Sequence, residues 1–362
     1  VSDETGKVAF FHDLSEGMGF LLSTMETDNG SGTELLTETE LKDSGIFNVN
    51  GDGKLLRPVS AWNFLAAGDD RNNLIALRNL LADKLGLTYT FTREGETSVS
   101  YGGQTLRLEM VGELASYMSK GEIANVTAGG ALAKFQEVRS GKQLENKTAA
   151  SVKPFLNQVF ADHEATSTAM IANPAQVASD GTAGLLTYLD DGETKQRLFD
   201  ERGYEPNQLF MKTMIGGLVT SQMNGYLGDA KMDGTDNQIR TDNDNGVLEG
   251  GKNYTEMEHN WDEAFGYLWG LATNAQTMTD GVSVNPDDIL LDKYLQKVNK
   301  TAGYKGIARD ILQAFRIGRK AIVEKDYATR DAQRVILKQL VSKVVLVRAH
   351  HYLNSALNKD VS

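Results

Sequence analysis

The chain contains no cysteine. That absence excludes disulfides, thiolate nucleophiles, iron–sulfur clusters and cysteine-ligated structural zinc in one step. Proline numbers only 5, and no apolar run approaches the ~18 residues of a membrane-spanning helix, so the sequence reads as a folded, globular chain without a transmembrane span. Basic residues are in deficit, 37 against 49 acids, for a formal charge of −12. A phosphate polyanion demands a basic surface, so nucleic acid and anionic lipid are disfavoured as partners while cationic ligands stay open. Several catalytic signatures are missing too. There is no Walker loop and no GxSxG elbow, and the helical zinc-protease pattern HExxH fails because His259 is followed by Asn260 with no histidine four positions on.

What is present is mostly helical patterning. At 362 residues the chain can bury a large core. We expect a mainly α fold, a large helical bundle with a small β-hairpin and a long acidic loop. An N-terminal helical segment with its linker occupies 1–87 and the main bundle 88–362. Helices are expected near 8–25, 60–85, 106–119, 124–140, 150–172, 192–202, 205–228, 254–273, 286–300, 304–324 and 327–358. The alternating stretches flanking Glu94-Gly95 supply the hairpin. The acidic interruption, 229–251, is long enough to be functional in itself.

The segment Tyr254 to Gly270 concentrates the chemistry. Met257, Trp261, Ala264, Phe265 and Leu268 share one helical stripe, the pattern of a core-facing side. Glu256, His259, Glu263, Gly266 and Gly270 share the other. Glycine weakens a helix by roughly 1 kcal/mol relative to alanine, so two on one stripe point to a close-packed neighbour and a helix buried on both sides. His259 lies three residues before Asp262 and four before Glu263, spacings at which side chains on one helix can share a cation. Among the chain's 5 histidines, His351 falls on a helical face with Leu340, Val344 and Val347, which puts it in or beside the core. The expected metal set is therefore His259, Glu263, Asp262, Glu256 and His351. His163 and His12, each flanked by acids, read as structural or solvated.

Two further stretches have oxygen side chains at alternate positions, the arrangement calcium requires. One comprises Asn48, Asn50 and Asp52; the other Asp233, Asp236, Asp242, Asp244 and Glu249. Neither fits a twelve-residue EF-hand loop, because Gly246 arrives one position early and Val59 stands where a closing acid belongs. A solvated loop of turn formers is the plainer alternative. Similarly, Arg316, Arg319, Lys320 and Arg348 could neutralise the acids of the 254–270 helix as a structural network, with no ligand involved.

The stretch Tyr254 to Tyr267 resembles the MEHHWDEAFGY hallmark of a family of exported bacterial lipoproteins known only as a domain of unknown function. Val99–Arg107, Glu113–Tyr117, Gly203–Gln208, Lys212–Leu218, Gln222–Leu227 and His350–Asn354 resemble that family's other recurrent blocks in order, over roughly 88–358. The chain departs at Asn260, where the family often has a second histidine. A more distant likeness is to the imelysin group, periplasmic helical proteins marked by GxHxxE and a later Leu-Trp-Gly. Here His259 to Asp262 precedes Leu268-Trp-Gly270, with Met257 for the glycine, Glu258 for an apolar neighbour and Asp262 for the glutamate. That likeness implies a helical bundle, a metal site built on His259 and Asp262, and an iron-linked or peptidase role.

These readings combine into one expectation with two alternatives. The expectation is a cell-envelope helical protein, periplasmic or surface-exposed, binding a metal ion such as iron or zinc, or a metal complex, in the service of metal acquisition. Export is suggested by the cysteine-free, Gly- and Asn-rich acidic composition and by a start at Val1, as in a processed and once lipid-anchored chain. The alternatives are an imelysin-type metal-dependent peptidase, with Glu263 or Glu258 as base, and a structural lipoprotein with calcium-stabilised loops that recruits an outer-membrane or envelope protein.

Overall fold

The computed structural model describes residues 4–23 and 37–359. They divide into two compact units, Val1–Thr90 and Phe91–Ser362.

The first unit holds helices α1 (Glu4–Ser23) and α2 (Glu38–Asp43), a hairpin of β1 (Phe47–Val49) and β2 (Leu55–Pro58), and helix α3 (Asp69–Lys84). Helix α2 starts with a capping box in which Thr37 and Glu40 satisfy each other's backbone N–H groups. Lys84 lies 2.7 Å from Glu40, and that ammonium together with the Thr37 N–H holds the Glu40 carboxyl down at about 2. The core joins Met18, Leu41, Ile46, Phe47, Phe64 and Leu77.

The second unit opens with the hairpin β3 (Thr92–Arg93) and β4 (Glu96–Thr97), closed by Glu94 and Gly95 at positive φ as expected. Helices α4 (Gly102–Tyr117), α5 (Gly130–Gln136) and α6 (Lys153–Ala172) follow. A second hairpin, β5 (Gly184–Asp190) with β6 (Glu193–Phe199), occupies the place where we expected a helix over 192–202. The polar run Glu193 to Arg197 reads as helix by propensity, but Asp191 (φ 50°) and Gly192 (φ 80°) form a turn whose twist matches two paired strands. Turn chemistry wins there.

Helix α7 (Pro206–Met214) continues through a π-helical turn, Ile215–Thr220, into α8 (Ser221–Tyr226). The wider turn frees the Gly217 carbonyl to accept from Ala149 N at 2.7 Å, and only glycine fits, since a Cβ there would stand 2.5 Å from Val152. The acidic stretch 229–251, expected as an open loop, is instead built around α9 (Asp229–Met232) and α10 (Gln238–Asp244), and Ile239 and Asn243 of α10 are buried. Its charge pattern hid two anchoring residues. Helix α11 (Glu256–Trp269) then packs against α4, α8 and α13, and the chain ends in α12 (Leu290–Asn299), α13 (Ile307–Val323) and the 31-residue α14 (Tyr327–Leu357). The fold is mainly α, with small two-stranded sheets. No helix among the described residues is long and apolar enough to cross a membrane.

His163 belongs to α6 and is fully buried, with its Nδ1 lacking a hydrogen-bond partner. Burial pushes its pKa down to about 4. The unfolded chain therefore takes up a proton near pH 6.5 that the folded chain refuses, so stability falls as pH drops from about 6.5 to 4, by about 3 kcal/mol at most. His163→Leu is expected to flatten that slope in thermal melts between pH 7 and pH 4.5. A slope unchanged by the substitution would assign acid sensitivity elsewhere.

Candidate functional site

Helix α11 starts at Thr255, whose hydroxyl accepts from Glu258 N while Glu258 accepts from Thr255 N at 2.8 Å. This capping box fixes the Glu258 carboxylate inside the protein at the head of the helix. Four residues on, Asp262 comes round to the same side, and both face Arg319 of α13. The Arg319 Nη1 donates to Glu258 Oε1 at 2.9 Å, its Nε to Asp262 Oδ1 at 3.0 Å and its Nη2 to Ser98 Oγ at 3.2 Å. Arg93 of β3 completes the group with two 2.9 Å bonds to Glu258. Two carboxylates meet two guanidiniums, and Arg319, Glu258 and Asp262 are buried.

The adjoining face of α11 meets the start of α4, where Asp262 also accepts from Ser100 N at 3.3 Å. A Cβ on Gly266 would stand 2.3 Å from the Tyr101 Cβ, and one on Gly270 3.0 Å from Thr105 Oγ1. The glycine argument holds: the helix is enclosed on both sides. Between these walls lies His259, half-buried and stacked on the Tyr254 ring at 4.6 Å. Its Nδ1 lies 3.1 Å from the Ser100 carbonyl oxygen. A carbonyl can only accept, so Nδ1 carries a proton and donates it to this bond, which leaves Nε2 as the outward-facing nitrogen. It faces Glu263, with Oε1 3.8 Å away.

Glu263 Oε1 also accepts from Gln104 Nε2 at 2.6 Å, while Gln104 Oε1 is buried without a partner. Lys147 Nζ donates to the Tyr226 hydroxyl at 3.1 Å, and Tyr226 stacks on Tyr267. Burial, and after it the charge of Glu263, pushes the Tyr226 phenol well above its ordinary range. Burial likewise pushes Lys147 down, with the Arg107 cation adding to the effect. The result is a half-open polar cluster around one imidazole and one carboxylate.

The expected metal residues thus separate. His259 and Glu263 are brought together; Asp262 lies beside them, with one oxygen accepting from Ser100 N at 3.3 Å and the other held by Arg319 at 3.0 Å. Glu256 sits half-buried in the first turn of α11, where the helix N-terminus favours its charge. His351 is exposed, in a groove with Lys343, Leu346 and His350. Its expected core position fails because the buried face of α14 runs through Leu337, Val341 and Val344, and no residue of the helix beyond Val344 is fully buried. Among the described residues no group of three or more histidines and acids gathers as a metal cage.

The calcium candidates are dispersed. Asn50 Oδ1 accepts from Asp52 N and Lys54 N within the β1–β2 turn, and the Asn48 amide donates to Arg57 O. Asp233 pairs with Arg330 at 2.9 Å, Asp242 accepts from Gln238 and Asp244 from the Tyr327 hydroxyl. Asp236 is exposed and Glu249 half-buried. Of the proposed counter-cations only Arg319 reaches the acids of α11. The Arg316 Nε is buried without a partner, and Arg348 stacks on Tyr294 and Tyr352. Sequence reasoning missed Arg93, Gln104, Tyr226 and Lys147. Gln104 lies within the block Val99–Arg107, but nothing local in that block points to Glu263 as its partner.

The architecture defines a mainly helical protein whose central helix carries a buried ion-paired network and, beside it, a half-open His–Glu pair. The chain belongs to the family described as Domain of unknown function (DUF4856), whose profile matches residues 86–361. No curated protein and no solved structure matches it.

Proposed function

We propose that this chain binds a transition-metal ion through His259 Nε2 and the Glu263 carboxylate. One observation supports the reading. The Ser100 carbonyl accepts from Nδ1–H and thereby turns Nε2 toward a carboxylate 3.8 Å away, the outer-shell arrangement that orients metal-ligating imidazoles. One nitrogen and one carboxylate suit a borderline divalent ion such as zinc or iron(II). With only two ligands from these side chains, the other positions belong to water or to groups of a bound complex, which fits a carrier of metal complexes in the cell envelope. A peptidase reading is narrowed to Glu263 as its base, because Glu258 is sealed between Arg93 and Arg319.

Titration calorimetry of zinc or iron(II) into the protein is expected to give one site, weakened at least tenfold by His259→Ala and by Glu263→Gln. Affinity unchanged in both variants sinks the reading. The second reading, a scaffold that recruits an envelope protein, is favoured by the buried Arg319 network. Under it, His259→Ala lowers the melting temperature and leaves metal uptake alone. The export component stands or falls with cell fractionation, and recovery in the cytoplasm removes it.

A further inference from the structure

We infer that a second site, between α7, α12 and α14, takes a small organic carboxylate with an apolar body. Its floor is the buried Tyr294 ring, and three cations surround that ring: Lys212 Nζ at 5.2 Å from the centroid, Arg348 Cζ at 5.6 Å and Lys297 Nζ at 5.8 Å. Among the described residues none of the three has a carboxylate within ion-pairing distance, although acids exceed bases 49 to 37 over the chain. The acids nearest the cluster are spoken for: Glu205 pairs with Arg197 and Asp288 with Lys293, each at 2.9 Å. Lys297 is exposed, but Lys212 and Arg348 both line the cavity without an acid to pair with, and two such cations in an acidic protein attract an anion.

The cavity itself supplies the rest of the chemistry. It measures about 200 Å³ and is walled by Ile215, Leu291, Val345 and Ala349, with Tyr294 and Tyr352 beside them and Lys212 and Arg348 as its charged groups. That is below the roughly 300–1,000 Å³ of drug-sized sites, so the occupant is small. Arg348 lies 4.8 Å over the Tyr352 ring, and its guanidinium lines the cavity together with Lys212. A guanidinium so placed meets a carboxylate in the fork geometry it favours. Lys212 donates to Gln208 Oε1 at 2.8 Å, and burial pushes its pKa down, as befits an ammonium without a counter-ion. Ile215 is the first residue of the π-helical turn, and such turns recur at functional sites. This site uses none of the residues of the His259–Glu263 cluster.

Octanoate is the probe. Titration calorimetry on the full chain is expected to show one molecule bound, with affinity reduced at least tenfold in the double variant Lys212→Met/Arg348→Gln and the melting temperature of the free protein held within 3 °C. Octanol, equal in its apolar part but uncharged, is expected to bind at least tenfold more weakly than octanoate. Should the double variant fold poorly, Val345→Trp fills the cavity while leaving the cations in place, and it too is expected to abolish octanoate binding. The inference is overturned if octanoate fails to bind at millimolar concentration, if octanol binds equally well, or if the folded variants retain full affinity.

Discussion

Replacing Arg319 by methionine is expected to destabilise the second unit by about 3–5 kcal/mol, the usual cost of breaking a buried ion pair by removing one partner. Against a total stability of roughly 5–15 kcal/mol this is a large fraction, and it should lower the melting temperature by on the order of 10 °C. The reason is specific to the residue. Arg319 is fully buried and bonds Glu258, Asp262 and Ser98 from one guanidinium, so its removal strips a cation from two carboxylates buried in the same place. Methionine replaces the aliphatic stem and supplies no charge. The double variant Arg319→Met/Asp262→Asn should regain most of the loss, because the neutral amide needs no counter-ion while Glu258 keeps Arg93.

The pH dependence carries the same logic. Burial alone would raise the Glu258 carboxyl, but Arg319, Arg93 and the Thr255 N–H outweigh it and hold the group below its ordinary value of 4.5. A carboxyl depressed in the folded state stabilises the fold above its unfolded pKa, and that contribution is lost as pH falls through the folded value. In the methionine variant burial remains and the Arg319 cation is gone. The deficit relative to the parent chain should therefore be greatest at neutral pH and narrow below about pH 4.5. Chemical denaturation at pH 7 and pH 4 distinguishes the cases, and an equal deficit at both would show that lost packing, not lost charge, is responsible.

How much of this could be read from the residues depends on how local each signal is. Helix α11 was legible in full, because its cap, its apolar stripe and its two glycines lie within sixteen consecutive positions, and the close approach of Tyr101 to Gly266 is what those glycines implied. The α14 boundaries were legible for the same reason. Its buried face was not, since Val347 and His351 continue the apolar periodicity past Val344 although Val347 is only half-buried and His351 exposed. The β5–β6 hairpin was lost to a choice between propensity and turn chemistry, where Asp191-Gly192 decided. The site was half legible. The spacing of His259, Asp262 and Glu263 says that they share a helix, but which way each points is set by partners 159 to 162 positions away, Ser100 and Gln104. Arg319 was among four candidate cations, and only packing selects it.

Gly318→Ala is expected to destabilise the chain by about 2 kcal/mol, although alanine is the better helix former by roughly 1 kcal/mol. The two effects oppose, and geometry decides between them. A Cβ at 318 would stand 2.1 Å from Trp261 Cζ2 and 2.3 Å from Cη2, so ring and helix would have to part by more than an ångström. Trp261 cannot yield by rotating: it is fully buried, its Nε1 donates to Phe315 O at 2.9 Å, and the Phe315 ring meets it edge-on. Nor can α13 retreat at little cost, because the next residue is Arg319, whose bonds to Glu258 and Asp262 would stretch with it. Overpacking costs typically about 1–3 kcal/mol and more where nothing relaxes, so the clash outweighs the gain in propensity. Gly225→Ala in α8 is the control: a Cβ there meets nothing within 4 Å, and the substitution should leave stability unchanged or slightly raised. Thermal melts followed by tryptophan fluorescence should show the 318 variant several degrees below the parent and the 225 variant at or above it. If the two variants melt together, α11 and α13 are not in the tight contact through which Arg319 is positioned, and the destabilisation argued for Arg319→Met loses its structural basis as well.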